Sequence, residues 1–145
     1  MDSYKLDIFR DENPSKALEF LTFNAFDSKW LLDKFLVDIG CLSIVESTQN
    51  LFTVVEGLLQ KEILYKDCIS KTFLKSIFDS KGIKEDSIVF IIWDYNTGID
   101  IFKTSTLLEN WDYIWYDTSD EAIILYLPSL KNVFLLSDHG LIKSL

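Results

Sequence analysis

The sequence predicts an α+β fold in which N-terminal helices pack on one face of a C-terminal antiparallel β-meander. Residues 1–84 place apolar side chains at helical spacing between capping residues and glycines. Residues 85–145 are short apolar runs separated by turn signals. With 145 residues, 48% of them hydrophobic, we expect a single domain over 1–145, mainly helical up to residue 84 and mainly strands thereafter.

Four helices are expected in the first half, over residues 13–21, 27–40, 47–63 and 67–82. Each range begins at a residue that caps helices or at a proline, which is tolerated in a first turn. Each range then repeats apolar residues at helical spacing, which places them on one face. The starts are Asn13 with Pro14, Asp27 or Ser28, Ser47 or Thr48, and Asp67, and glycines at 40 and 82 end the second and fourth helices.

Strands are expected in the second half. The apolar run from Ile88 to Trp93 is uninterrupted, which is typical of a central strand covered on both faces. The turn signal from Tyr95 to Gly98 joins it to a second strand, which makes residues 87–103 a hairpin. The remaining strands are expected over 111–116, 122–127, 133–136 and 141–143.

Trp111, Tyr113 and Trp115 alternate along their predicted strand and therefore share one of its faces. That face is either a binding platform or the side of the sheet beneath the helices. Since tryptophan is usually buried over most of its area, the core interpretation is favoured. In that case Asp112, Ile114 and Tyr116 face outward.

The net charge of −9 is unevenly distributed. Residues 85–145 contain ten acids and three bases, whereas residues 61–84 contain six lysines and three acids. Phosphate backbones and anionic membrane surfaces attract clustered Lys and Arg, so we expect neither nucleic acid nor a membrane as partner. The N-terminus lacks the pattern of a signal peptide, and no apolar run approaches the roughly 20 residues of a membrane helix, so we expect a cytoplasmic protein.

No pattern of catalytic or metal-binding residues stands out. The single His and two distant Cys lack zinc-ligand spacing, and no glycine-rich phosphate loop is present. Ser137, Asp138 and His139 are consecutive, so they cannot converge on one reacting atom and are better explained as a turn. We expect no metal, no cofactor and no enzyme activity. An enzyme of unrecognised type stays open if a deep pocket holds Asp138, His139 or the acids of 117–121 with perturbed pKa values.

A series of short segments fills the C-terminal part. Residues 113–116 read Tyr-Ile-Trp-Tyr and residues 118–121 read Thr-Ser-Asp-Glu; after an apolar strand, 128–131 read Pro-Ser-Leu-Lys and 133–140 read Val-Phe-Leu-Leu-Ser-Asp-His-Gly. This order resembles the C-terminal pattern of small bacterial immunity proteins, which are encoded beside secreted toxins of contact-dependent or polymorphic type. The resemblance implies tight binding to one cognate toxin domain.

Acids beside aromatic residues suit a basic protein partner, because opposite charge steers the encounter and rings supply anchor energy. The expected partner is therefore a cognate toxin domain, such as a nuclease, whose phosphate-binding surface is basic. An adaptor module for a non-toxin protein is the alternative. The expected contact residues are Asp94, Tyr95, Asp100, Asp112, Tyr116, Asp117, Asp120 and Glu121.

Overall fold

The computed structural model describes residues 1–59, 61–65, 69–116, 122–137 and 141–144. Within these residues, one antiparallel sheet of seven strands has the order β1-β4-β3-β5-β6-β7-β2. The strands are β1 (Leu21–Thr22), β2 (Lys61–Tyr65), β3 (Ile88–Ile92), β4 (Asp100–Lys103), β5 (Ala122–Leu127), β6 (Asn132–Ser137) and β7 (Leu141–Ser144). The helices are α1 (Ser3–Glu12), α2 (Ala25–Asp38), α3 (Thr48–Leu58), α4 (Lys71–Ser80), α5 (Thr104–Glu109) and α6 (Trp111–Ile114), and a 3-10 turn covers Pro128–Leu130.

The sheet is buried on both faces because β3, β5 and β6 are apolar at odd and even positions alike. Their side chains on one face join one core cluster with α4, α5 and α6, and those on the other face join a second cluster with α2 and α3. The α+β class is thus confirmed, with β5, β6 and β7 as a meander. The helices, however, divide between both faces of the sheet instead of packing on one.

Residues 111–116 differ most from expectation, since they begin with a helix where a strand is predicted. Trp111 and Trp115 are four positions apart, so they lie on one side of a helical turn, and their rings stack with centroids 5.9 Å apart. Both rings are buried, and the Trp111 indole donates a hydrogen bond of 2.7 Å to the carbonyl oxygen of Ile69. The core interpretation of these two tryptophans is therefore correct although the predicted element is wrong. Ile114, expected to face outward, is buried in the same core cluster because the chain is helical there.

In the first half, no helix forms over residues 13–21, and the helix predicted over 47–63 ends at Leu58. Asp2 caps α1 by accepting a hydrogen bond from the backbone N–H of Tyr4, and Asn13 ends that helix rather than starting one. Asparagine serves both ends of helices, which explains the error. After α3, the segment Lys61–Tyr65 pairs with β7 as an edge strand instead of extending the helix.

Glycine is required at position 98, where the hairpin approaches the chain between β1 and α2. A Cβ atom there would lie 2.7 Å from Cγ2 of Thr22 and 2.9 Å from the carbonyl oxygen of Phe23. The backbone of the two segments is that close because the N–H of Phe23 donates to the carbonyl of Ile99. The contact brings the start of α2 against the β3–β4 turn. Within the described residues, no helix is long and apolar enough to cross a membrane.

Candidate interaction surface

Helix α2 carries apolar side chains on the side that faces solvent as well as on the side that faces the sheet. Phe26 is 80% exposed, Trp30 61% and Val37 73%. These residues and Asp33 are spaced by four, three and four positions, which places all of them within about 60° around the helix axis. We call Phe26, Trp30, Asp33 and Val37 the outer stripe.

The local sequence explains why α2 forms where it does. Asn24 accepts a hydrogen bond from the backbone N–H of Asp27, and its amide donates one of 2.7 Å back to the Asp27 carboxylate. The Asn24 side chain thus satisfies one of the free N–H groups of the first turn, and the bond to the Asp27 carboxylate holds the cap in place. Gly40 adopts a positive φ of 74°, which lets the N–H groups of residues 40 and 41 reach the last carbonyls of the helix.

The inner side of α2 packs on the sheet, so the outer stripe, on the opposite side of the helix, faces away from the sheet. Leu31, Leu32 and Phe35 are buried against it, and the Phe35 ring lies 5.2 Å from the ring of Tyr126 on β5. The helix orientation is therefore set by the core. Contiguous exposed apolar side chains of this size mark interaction surfaces more often than isolated ones do.

Two ion pairs lie along the exposed side of α2, and one of them includes Asp33 of the outer stripe. Lys29 pairs with Asp33, and Lys34 donates a hydrogen bond of 2.8 Å to Asp38. The hydrogen bond to Asp33 raises the pKa of the Lys29 amine. The hydrogen bonds from Lys34 and then Tyr126 lower the pKa of the Asp38 carboxyl. Burial, followed by the bond to Asp38, raises the pKa of Tyr126, so this phenol stays protonated and donates.

The predicted contact Tyr95 lies beside α2. Its ring centroid is 5.5 Å from the amine of Lys29, and its backbone N–H donates to the hydroxyl of Thr48 at the start of α3. Asp94 precedes it and accepts hydrogen bonds from the N–H groups of Asn96 and Thr97, which closes the turn. Tyr95 thus lies half-buried at the edge of the α2 surface, whereas the Asp94 carboxylate accepts the hydrogen bonds of its own turn.

Asp100, predicted as a partner contact, has no exposed surface and is corrected to a structural role. Its carboxylate accepts hydrogen bonds from the Thr22 hydroxyl and the Trp93 indole and pairs with the amino group of Met1. Asp100 begins β4, which pairs with β1 on one side and β3 on the other, so its backbone lies inside the sheet. Buried charges need such partners to offset the cost of desolvation.

A cleft of about 490 Å³ opens beside this network, between α1 and the β3–β4 turn. Lys5 lines it but is only 2% exposed. Its amine donates a hydrogen bond of 2.8 Å to the carbonyl of Ile114 and lies 4.8 Å from the Trp93 ring and 5.0 Å from the Tyr116 ring. Tyr116, another predicted contact, is therefore half-buried in contact with this lysine.

The remaining predicted contacts separate into two groups. Asp112 lies exposed in α6, across the sheet from α2 and α3. Asp117, Asp120 and Glu121 lie outside the described residues, as do Asp138 and His139 of the enzyme alternative. In the part of the chain that the structure describes, no group of three or more His, Cys, Asp or Glu side chains is arranged to hold a metal ion.

The outer stripe was not among the predicted contacts, although the sequence carries a signal for it. Phe26, Trp30 and Val37 fall at helical spacing on the side opposite to Leu31 and Phe35. A helix that is apolar on two sides while containing Lys and Asp is too polar to be wholly buried, so one apolar side has to face outward. The exposed fraction of Trp30 is what distinguishes the two sides.

Comparison of the chain with protein-family models, with curated proteins and with solved structures finds no match to any of them.

Proposed function

We propose that this chain is an acidic binding protein that neutralises a cognate toxin domain by tight protein–protein binding. The observation that carries the binding role is the outer stripe, where a tryptophan, a phenylalanine and a valine are exposed on one side of a helix anchored in the core. Tryptophan is the residue most often found as an energetic anchor at interfaces.

The charge favours a basic partner. The chain carries −9, so it attracts positively charged proteins and repels nucleic acid. Toxin domains that act on nucleic acid have basic surfaces, and an acidic protein competes with phosphate for them. The C-terminal resemblance to immunity proteins makes a toxin domain the partner that fits this charge.

The rival proposal is an adaptor for a non-toxin protein, which would use the same surface. The two differ in the neighbouring gene. A gene for a large secreted protein with a variable C-terminal domain supports neutralisation, and its absence supports the adaptor.

The direct experiment is co-expression of the chain with the toxin domain encoded beside it, scored by cell survival. We expect the wild-type chain to rescue growth and an empty vector to fail. Death of cells that contain folded, abundant wild-type chain would contradict neutralisation. The immediate control is a toxin domain from an unrelated locus, which the chain should leave active.

A further inference from the structure

Asp33 occupies the middle of the outer stripe, between Trp30 and Val37, and its side chain is 57% exposed. We infer that Asp33 receives a cationic side chain of the basic partner in exchange for Lys29, while the apolar side chains of the stripe close around that contact. This inference rests on the proposed function and specifies which chemistry the partner presents. The partner surface would be apolar with a Lys or Arg at its centre.

Charge decides between such a partner and a second copy of this chain. From residue 24 to 47 the chain has four acids and two lysines, and both lysines are engaged with acids of the same helix. Two copies would each bring a net charge of −9 and an acid at the middle of the stripe. Like charges at the centre of a symmetric contact oppose association, whereas a basic surface is complementary.

Lys29 is suited to being exchanged because it has a second contact besides Asp33. It forms the ion pair with Asp33 and lies 5.5 Å from the ring centroid of Tyr95. An exposed pair at this helical spacing is weak in water, so a partner cation brought in with apolar contacts can replace it. The Tyr95 ring then still stabilises the displaced amine.

The second pair on the same helix provides an internal contrast. Asp38 accepts hydrogen bonds from both Lys34 and Tyr126, and Tyr126 is buried in β5. The Asp38 carboxylate therefore links the C-terminal end of α2 to the sheet. Asp33 has no such bond from the core among the described contacts, so of these two paired acids it is the one that a partner can bind.

The experiment uses the purified full chain and a synthetic 18-residue helical peptide of leucine and lysine, with apolar and cationic sides. A second peptide with glutamate at each lysine position is the control. Binding is followed by backbone amide NMR shifts. We expect shifts centred on residues 26–37 and Tyr95 with the lysine peptide, and none with the glutamate peptide. Equal binding of both peptides, or shifts centred elsewhere, would overturn the inference.

Matched variants test the exchange itself. Asp33→Asn should weaken binding of the lysine peptide about three-fold. Asp86→Asn removes an exposed acid far along the chain and should change this affinity little. Lys29→Gln should tighten binding of the lysine peptide about three-fold, because Asp33 is then no longer paired. Lys34→Gln removes the same charge from the same helix and should have a smaller effect. If Lys29→Gln and Lys34→Gln changed the peptide affinity equally, the peptide would be responding only to the net charge of the chain, and the exchange at Asp33 would be overturned.

Three further outcomes separate this inference from its alternatives. A dimer of the chain alone in sedimentation, lost in Trp30→Ala, would assign the stripe to a second copy and contradict a partner cation. Rescue from the toxin that persists in Trp30→Ala and Asp33→Asn would overturn the inference while leaving neutralisation intact. Failure of the wild-type chain to rescue would instead remove the proposed function.

Discussion

Trp93 and Asp100 are joined by a hydrogen bond of 2.7 Å from the indole Nε1 to a carboxylate that has no exposed surface. The same carboxylate accepts from Thr22, so it ties β1 to the β3–β4 hairpin. Asp100→Ala removes these contacts and leaves their donors without an acceptor. We expect a loss of about 3–5 kcal/mol in the free energy of unfolding. Urea unfolding followed by circular dichroism measures it, and Asp86→Ala is the exposed control. Stability equal to the wild type would contradict the structural role of Asp100.

Two tryptophans have opposite roles and give a matched comparison. Trp111 is 1% exposed and hydrogen-bonded to the backbone, so Trp111→Ala should cost about 3–5 kcal/mol of stability. Trp30 is mostly exposed, so Trp30→Ala should change stability by no more than about 0.5 kcal/mol. Urea midpoints of the two variants give the test. A large stability loss in Trp30→Ala would mean that its ring packs in the fold and is not free for a partner.

Two glycines respond to the same substitution with opposite sign. Gly98→Ala places a Cβ atom against Thr22 and the backbone of Phe23, so we expect a cost of about 1–3 kcal/mol. Gly57 lies inside α3 with open space around it, so Gly57→Ala should stabilise by about 0.5–1 kcal/mol through better helix propensity. Thermal unfolding of both variants decides. A stable Gly98→Ala protein would show that the β1 segment moves away at no cost.

The pKa of Asp38 makes a prediction about pH. The pKa is lowered in the folded chain, chiefly by the hydrogen bond from Lys34, so this carboxylate stabilises the fold above its ordinary pKa near 3.8. That contribution disappears as the pH falls through the lowered value. Lys34→Gln should raise the pKa of Asp38 in a carboxyl NMR titration. The wild type should be more stable than this variant at neutral pH, and the difference should shrink below pH 3.8. If the wild type stayed more stable than Lys34→Gln by the same amount at low pH, the ionised Asp38 carboxylate would not be the source of the difference.

The strand region shows which parts of the fold were predictable from sequence. The apolar run from Ile88 to Trp93 predicts a strand covered on both faces, which β3 confirms with Val89 and Ile91 in one cluster and Ile92 in the other. That observation already conflicts with helices on one face only. Five of the six predicted strands are placed correctly, because apolar runs and turn residues occur together there.

The errors at residues 111–116 and at Asp100 have different causes. Around Trp111, residues that alternate in polarity also recur at four positions, and the burial of Trp111 with Trp115 favours the helical spacing. Asp100 is expected outside because acids usually are, but two of its three partners, Thr22 and the amino group of Met1, are distant in sequence, and no local pattern contains them.

The central claim is that the outer stripe of α2 is the docking surface. Calorimetric titration of the purified chain with the toxin domain encoded beside it tests this most directly. We expect Trp30→Ala to weaken binding by at least about 30-fold, as for an energetic anchor, and Tyr4→Ala, an exposed ring on α1, to leave it unchanged. Wild-type affinity in Trp30→Ala, or an equal loss in Tyr4→Ala, would contradict the claim.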